Sequence, residues 1–115
     1  MKKFFYSIAI ISISIFLLQC TAKKAAVSKP MSPDVLTFAK KRWPDITQQD
    51  LDSGRRIYTT RCTKCHGMKK IAKRSEKAWI KILRVMTRLA KLTPGEKITL
   101  AHYILAAREA GVKKD

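Results

Sequence analysis

The residues of this chain with chemistry in them are Cys62-Thr63-Lys64-Cys65-His66. Two thiols three positions apart lie on nearly adjacent faces of one helical turn, so both can reach one flat ligand. A histidine directly after the second thiol is held beneath that ligand. Cys-x-x-Cys-His at this spacing is the attachment pattern of a c-type haem, with the thiols on two vinyl groups and the imidazole on the iron. Other chemistries also use Cys-x-x-Cys. A thioredoxin-like redox pair needs a βαβ frame, and no strand pattern follows Lys23. A zinc site needs four ligands; with Cys20 engaged elsewhere, the candidates are Cys62, Cys65, His66 and His102. The expected cofactor is therefore one covalent haem c on Cys62, Cys65 and His66, with zinc or a free dithiol as the alternatives.

The elements that must position these residues are helical. From Thr47 to Arg61, Thr47 can cap and Asp50 sits in the first turn, where the helix dipole favours an anion. Leu51, Gly54, Tyr58 and Cys62 then share one face that leads into the motif. Gly54 is a poor choice within a helix and predicts the close approach of another backbone. Ser75 can cap a further helix whose Trp79, Ile82, Leu83, Met86 and Ala90 form an unbroken stripe. Thr93-Pro94-Gly95-Glu96 is a capping box with proline at the first helical position. The helix it opens runs to about Ala110 and stops at Gly111, with Leu100, Tyr103, Ile104 and Ala107 inward. Val35, Leu36, Phe38 and Ala39 suggest a shorter leading helix between Ser32-Pro33 and Trp43-Pro44. The fold class is all-α. Roughly eighty residues bury a small core that usually needs a staple, and a covalent haem supplies one.

The segment before these helices reads as an address. Lys2 and Lys3 precede an apolar run from Phe4 to Leu18, the length of a secretory core and short for a membrane span. Leu17-Leu18-Gln19-Cys20 resembles the lipobox of bacterial lipoproteins. That resemblance implies a signal peptide over 1–19, cleavage before Cys20 and a lipid on its thiol. Gln19 departs from the small residue usual there, and an uncleaved anchor helix is the alternative. Residues 20–33, rich in Lys, Ala and Ser, form the expected linker, and residues 34–115 the domain. The expected location is the periplasmic side of a bacterial membrane. One cysteine for lipid and two for haem leave none for a disulfide.

The chain carries a formal net charge of +17. Without Lys2 and Lys3 there remain 23 basic against 8 acidic residues, or +15. Such a field governs encounter and surface binding rather than fold. Nucleic acid is the usual partner of a basic chain but is not normal for an exported lipoprotein. Anionic lipid and an acidic redox protein fit better. Lys64, Lys69, Lys70, Lys73 and Arg74 cluster around the motif and are expected to ring an exposed haem edge, steering an acidic partner. A monomer is the default state.

The run Gly54-Arg-Arg-Ile-Tyr58, Cys-x-x-Cys-His-Gly, Trp79, Met86 and Leu-Thr-Pro-x-Glu resembles a small class I cytochrome c of the bacterial lipoprotein type, over Leu51 to about Ala110. The resemblance implies terminal helices crossing beside the haem, with Gly54 and Tyr58 meeting Tyr103. It also implies a methionine opposite the histidine. Met1 falls in the signal, Met31 in the linker, and Met68 is tied to the wrong side of the ring, leaving Met86. Met86 departs from the family in lying within a helical stripe, where methionine commonly packs; His102 is the competing ligand. Trp79 could donate its indole N–H to a propionate. No nucleophile–base pair, acidic dyad or Gly-rich phosphate loop accompanies the motif, so the expected function is electron transfer rather than enzymic catalysis. The rivals are a haem protein with an open sixth position, acting as a sensor or weak peroxidase, and a docking subunit of a larger respiratory complex.

Overall fold

A computed structural model describes residues 31–112. The expected signal peptide, Cys20 and the linker up to Pro30 lie outside the described residues, as do residues 113–115. Four helices follow in order: α1 (Pro33–Arg42), α2 (Gln48–Thr60), α3 (Glu76–Leu89) and α4 (Pro94–Glu109). Short 3₁₀ turns at Cys62–Lys64 and Ile71–Lys73 fill the stretch between α2 and α3. The described residues hold no strand, and none of their helices is long and apolar enough to cross a membrane.

Each helix begins and ends for a local reason. The Thr47 side chain accepts from the Asp50 N–H while the Asp50 carboxylate accepts from the Thr47 N–H, a reciprocal box that starts α2. Thr93 and Glu96 repeat it for α4, with Pro94 at the first helical position. Ser75 caps α3 by accepting from the Ala78 N–H. At the end of α4, Val112 N–H donates to Ala107 and Gly111 N–H to Arg108, with Gly111 at φ 70°. This is a Schellman stop. α3 ends the same way: Leu92 N–H donates to Thr87 and Lys91 N–H to Arg88. Here the left-handed residue is Lys91, at φ 51°, not a glycine.

α4 is the hub, packing on α2 most extensively and also on α1 and α3. Its Leu100, Tyr103, Ile104 and Ala107 are all buried, together with Leu51 and Tyr58 of α2, Trp79 of α3, and Val35 and Ala39 of α1. Gly54 is where α2 and α4 come closest. A Cβ there would overlap the Thr99 carbonyl oxygen and lie 2.6 Å from the Tyr103 Cβ. The glycine is therefore a steric requirement of the crossing, as its place in the sequence predicts. Beside it, the Tyr58 and Tyr103 rings sit 6.2 Å apart. α1 is held by its apolar face and by an Arg42–Glu76 ion pair of 2.8 Å to the start of α3. Met31, assigned to the linker from sequence, packs against the core edge.

Candidate functional site

Cys62 starts the 3₁₀ turn directly after α2, so the α2 face carries straight into the motif. Two bonds from Arg61 fix that junction. Its guanidinium donates to the Ala90 carbonyl at 2.9 Å and reaches the Glu96 carboxylate at 3.5 Å, tying the end of α2 to the end of α3 and the start of α4. Cys62 is half-buried, and burial pushes its thiol pKa up, with Arg61 pulling it partly back. Cys65 is exposed.

The segment after the motif lacks regular structure but is strapped down. The Tyr58 hydroxyl donates to the Lys69 carbonyl at 2.7 Å and accepts from the Lys69 N–H at 3.0 Å. The buried Trp79 indole N–H donates to the Ile71 carbonyl at 2.9 Å. Ala72 N–H donates to Val112, and Arg108 Nε–H to the Arg74 carbonyl. The expectation that Trp79 presents its N–H to a propionate is corrected here. The Ile71 carbonyl takes that donor, because an indole N–H buried without a partner would be costly.

α2, the strapped segment, α3 and α4 line an open-mouthed cavity of about 280 Å³. Cys62 and His66 of the motif and Met86 of α3 all line it, from two parts of the chain. Tyr58, Trp79, Ile82, Leu83, Leu100 and Ile104 supply apolar wall, and among the described residues Lys69 and Arg74 are its cationic lining. His66 Nδ1 lies 2.9 Å from the Gly67 carbonyl oxygen. A carbonyl only accepts, so in the neutral ring the proton sits on Nδ1 and Nε2 keeps a free lone pair. That is the arrangement in which an imidazole ligates a metal through Nε2.

His102 is not among the residues around this cavity. It stacks on Trp43, with ring centroids 4.2 Å apart, in a groove that also contains Asp50, Ile98 and Thr99. Burial lowers its pKa, while Asp50 opposes that shift. Of the basic cluster around the motif, Lys69 and Arg74 line the cavity, whereas Lys64, Lys70 and Lys73 are exposed outside it. Met68 is exposed too. Among the described residues, no group of three or more His, Cys, Asp or Glu side chains is arranged to hold a metal ion.

The straps from Tyr58 and Trp79 to loop carbonyls were not foreseen from sequence. Their only sequence signal is that each aromatic with a polar tip sits at a buried stripe position, where that tip must find a partner. Comparison of the chain with protein-family models, with curated proteins and with solved structures found no match. The functional argument therefore rests on the site. Chemically, the arrangement offers an imidazole, a thioether and a thiol to one apolar space with cations at its edge. It suits a large, flat, apolar ligand that carries a metal and anionic groups.

Proposed function

We propose that this chain is a monohaem c-type cytochrome that carries single electrons. The observation that carries the reading is the convergence of Cys62, His66 and Met86, spread over 62–86, on one apolar cavity. The residues present fit the group. Cys62 and the neighbouring Cys65 are the thiols for covalent attachment; His66, with its proton held at Nδ1 by the Gly67 carbonyl, is the axial donor. Met86 is the second axial candidate, and Lys69 and Arg74 are cations available to the propionates. When bound, a haem supplies a one-electron iron couple whose potential the axial pair and burial set.

The chain's own residues perform three tasks in this reading. Trp79, Leu83, Leu100 and Ile104, as apolar wall of the cavity, would exclude water from a bound metal. The low dielectric they create limits solvent reorganisation and makes the axial donor decisive for the potential. Tyr58 and Trp79 hold the loop that carries His66 through the Lys69 and Ile71 carbonyls. Lys64, Lys70 and Lys73, exposed and close in sequence to the cavity-lining Lys69 and Arg74, would supply positive charge suited to an acidic redox protein, with encounter that weakens at high salt. The lipobox-like sequence at Cys20 supports a lipid-anchored position on the periplasmic side of a bacterial membrane.

Expression with a c-type cytochrome maturation system tests the reading. The expected product carries one haem that survives acid–organic extraction and is absent from a Cys62→Ala, Cys65→Ala variant. A folded protein from which all haem is extracted would contradict it. The rival with an open sixth position takes support from Met86 lying inside regular helix α3 rather than in a loop. Rapid carbon monoxide binding by the reduced protein is its signature; the proposed Met86 ligation predicts slow or no binding.

A further inference from the structure

The inner face of α3 serves the cavity, through Trp79, Ile82, Leu83 and Met86. Its outer face serves nothing within the described residues. Lys77, Lys81, Arg84 and Arg88 recur there at helical spacing and are all exposed. None of the four forms an ion pair within the described residues. Flanking this row are aliphatic side chains that a helix normally turns inward. Ile80 is 45% exposed, Val85 41% and Leu89 71%.

We infer that the outer face of α3 docks on an anionic phospholipid surface. The argument is one of complementarity. A straight row of cations along a convex helix matches a plane of phosphates, and aliphatic side chains on either side can enter the boundary between headgroups and acyl chains. A protein partner of comparable area would be expected to use aromatic anchors in fitted pockets. This face has none: its shallow depression is lined only by Glu76, Lys77, Ile80, Lys81 and Arg84. Because the cavity lies on the opposite side of the same helix, docking and cavity occupancy do not compete. The inference specifies the membrane-facing surface of the proposed cytochrome, yet its argument does not depend on haem binding.

Amine acetylation of the full-length protein, read lysine by lysine by mass spectrometry, tests it. The protein is mixed with vesicles of phosphatidylglycerol and phosphatidylcholine in equal parts, or of phosphatidylcholine alone. Lys77 and Lys81 are expected to be protected on the anionic vesicles only, and exposed Lys40 to be spared that protection. Each basic side chain near such a surface contributes about fivefold to the docked population. An Arg84→Gln, Arg88→Gln variant should therefore lower it by about 25-fold and restore reactivity at Lys77 and Lys81. Equal reactivity on both vesicles, or equal protection on both, overturns the inference. So does protection that appears only on addition of protein-containing membranes and vanishes when those are protease-treated, which would assign the face to an acidic protein. The haem absorbance of the same samples reports the cavity separately, so failure of either reading is visible without the other.

Discussion

Cys62 and Cys65 share a motif but not an environment. Cys62 faces the cavity, and burial raises its thiol pKa, whereas Cys65 is exposed to solvent. Before any covalent attachment, iodoacetamide at mildly alkaline pH should therefore modify Cys65 several-fold faster than Cys62, because Cys65 is accessible while burial both shields Cys62 and disfavours its thiolate. Peptide mapping of a partially alkylated sample reads the order directly, and preferential labelling of Cys62 would contradict the geometry. The same scale separates Met86 from His102. Met86 lines the cavity; His102 stacks on Trp43 outside it. His102→Ala should leave the absorption spectrum of the haem-loaded protein unchanged while costing about 1 kcal/mol through the lost ring contact, measurable by urea denaturation. A changed axial spectrum would bring His102 back as a ligand. Cys-x-x-Cys-His was legible in the sequence because its chemistry depends on adjacent positions. The choice between Met86 and His102 was not, because both lie on helices and only the packing of α3 and α4 decides which lines the cavity with His66.

Helix ends and faces were the most legible part of the fold, since each is a local statement. Thr47 with Asp50 and Thr93 with Glu96 spell out their boxes in four residues, and Gly111 marks its stop. Gly54 announced a close crossing, and the resemblance named Tyr103 as the residue it meets; the Thr99 carbonyl, which also lies against it, was not named by any pattern. The stop of α3 left no sequence signal, because Lys91 occupies a left-handed position usually given to glycine. That observation makes a prediction at this scale. Lys91→Gly should stabilise the protein by roughly 0.5–1 kcal/mol in chemical denaturation, the relief of left-handed strain exceeding the entropy glycine gains when unfolded. Gly54→Ala should do the opposite. Alanine gains about 1 kcal/mol of helix propensity, but its Cβ meets backbone at the crossing and overpacking costs about 1–3 kcal/mol or more. The net result is expected to be a loss of about 1–2 kcal/mol, and an alanine variant as stable as the parent would mean that α2 and α4 do not cross so closely.

For the molecule as a whole, most acidic groups of known environment are engaged. The Thr47 side chain and backbone lower the pKa of Asp50, Arg42 lowers that of Glu76, and Thr93 lowers that of Glu96. A carboxylate with a lower pKa in the folded than in the unfolded chain stabilises the fold at neutral pH. That contribution is lost as pH falls below the ordinary carboxylate range, about 4, through the folded values. Two helix starts and the α1–α3 link weaken together in that window. The +17 charge then meets fewer anions to offset it. Thermal stability should therefore drop below about pH 4, after a smaller decline below about pH 6.5, where the unfolded chain takes up a proton at His102 more readily than the folded one. A flat profile into strong acid would show that these contacts contribute little. Charge and cysteine content were readable at this scale without any structure. The cavity was not, since its walls come from three helices and a loop whose straps depend on Tyr58 and Trp79 finding carbonyls far along the chain.

The central proposal is that His66 and Met86, which line one cavity, would both hold the iron of one haem. The most direct test is the optical spectrum of the matured protein, oxidised and reduced, including the weak long-wavelength band of sulfur bound to ferric iron. The account predicts a low-spin spectrum with that band present, and its loss in Met86→Ala with haem still attached. A high-spin reduced iron and no sulfur band in the parent protein would contradict it, reducing Met86 to a wall of the cavity.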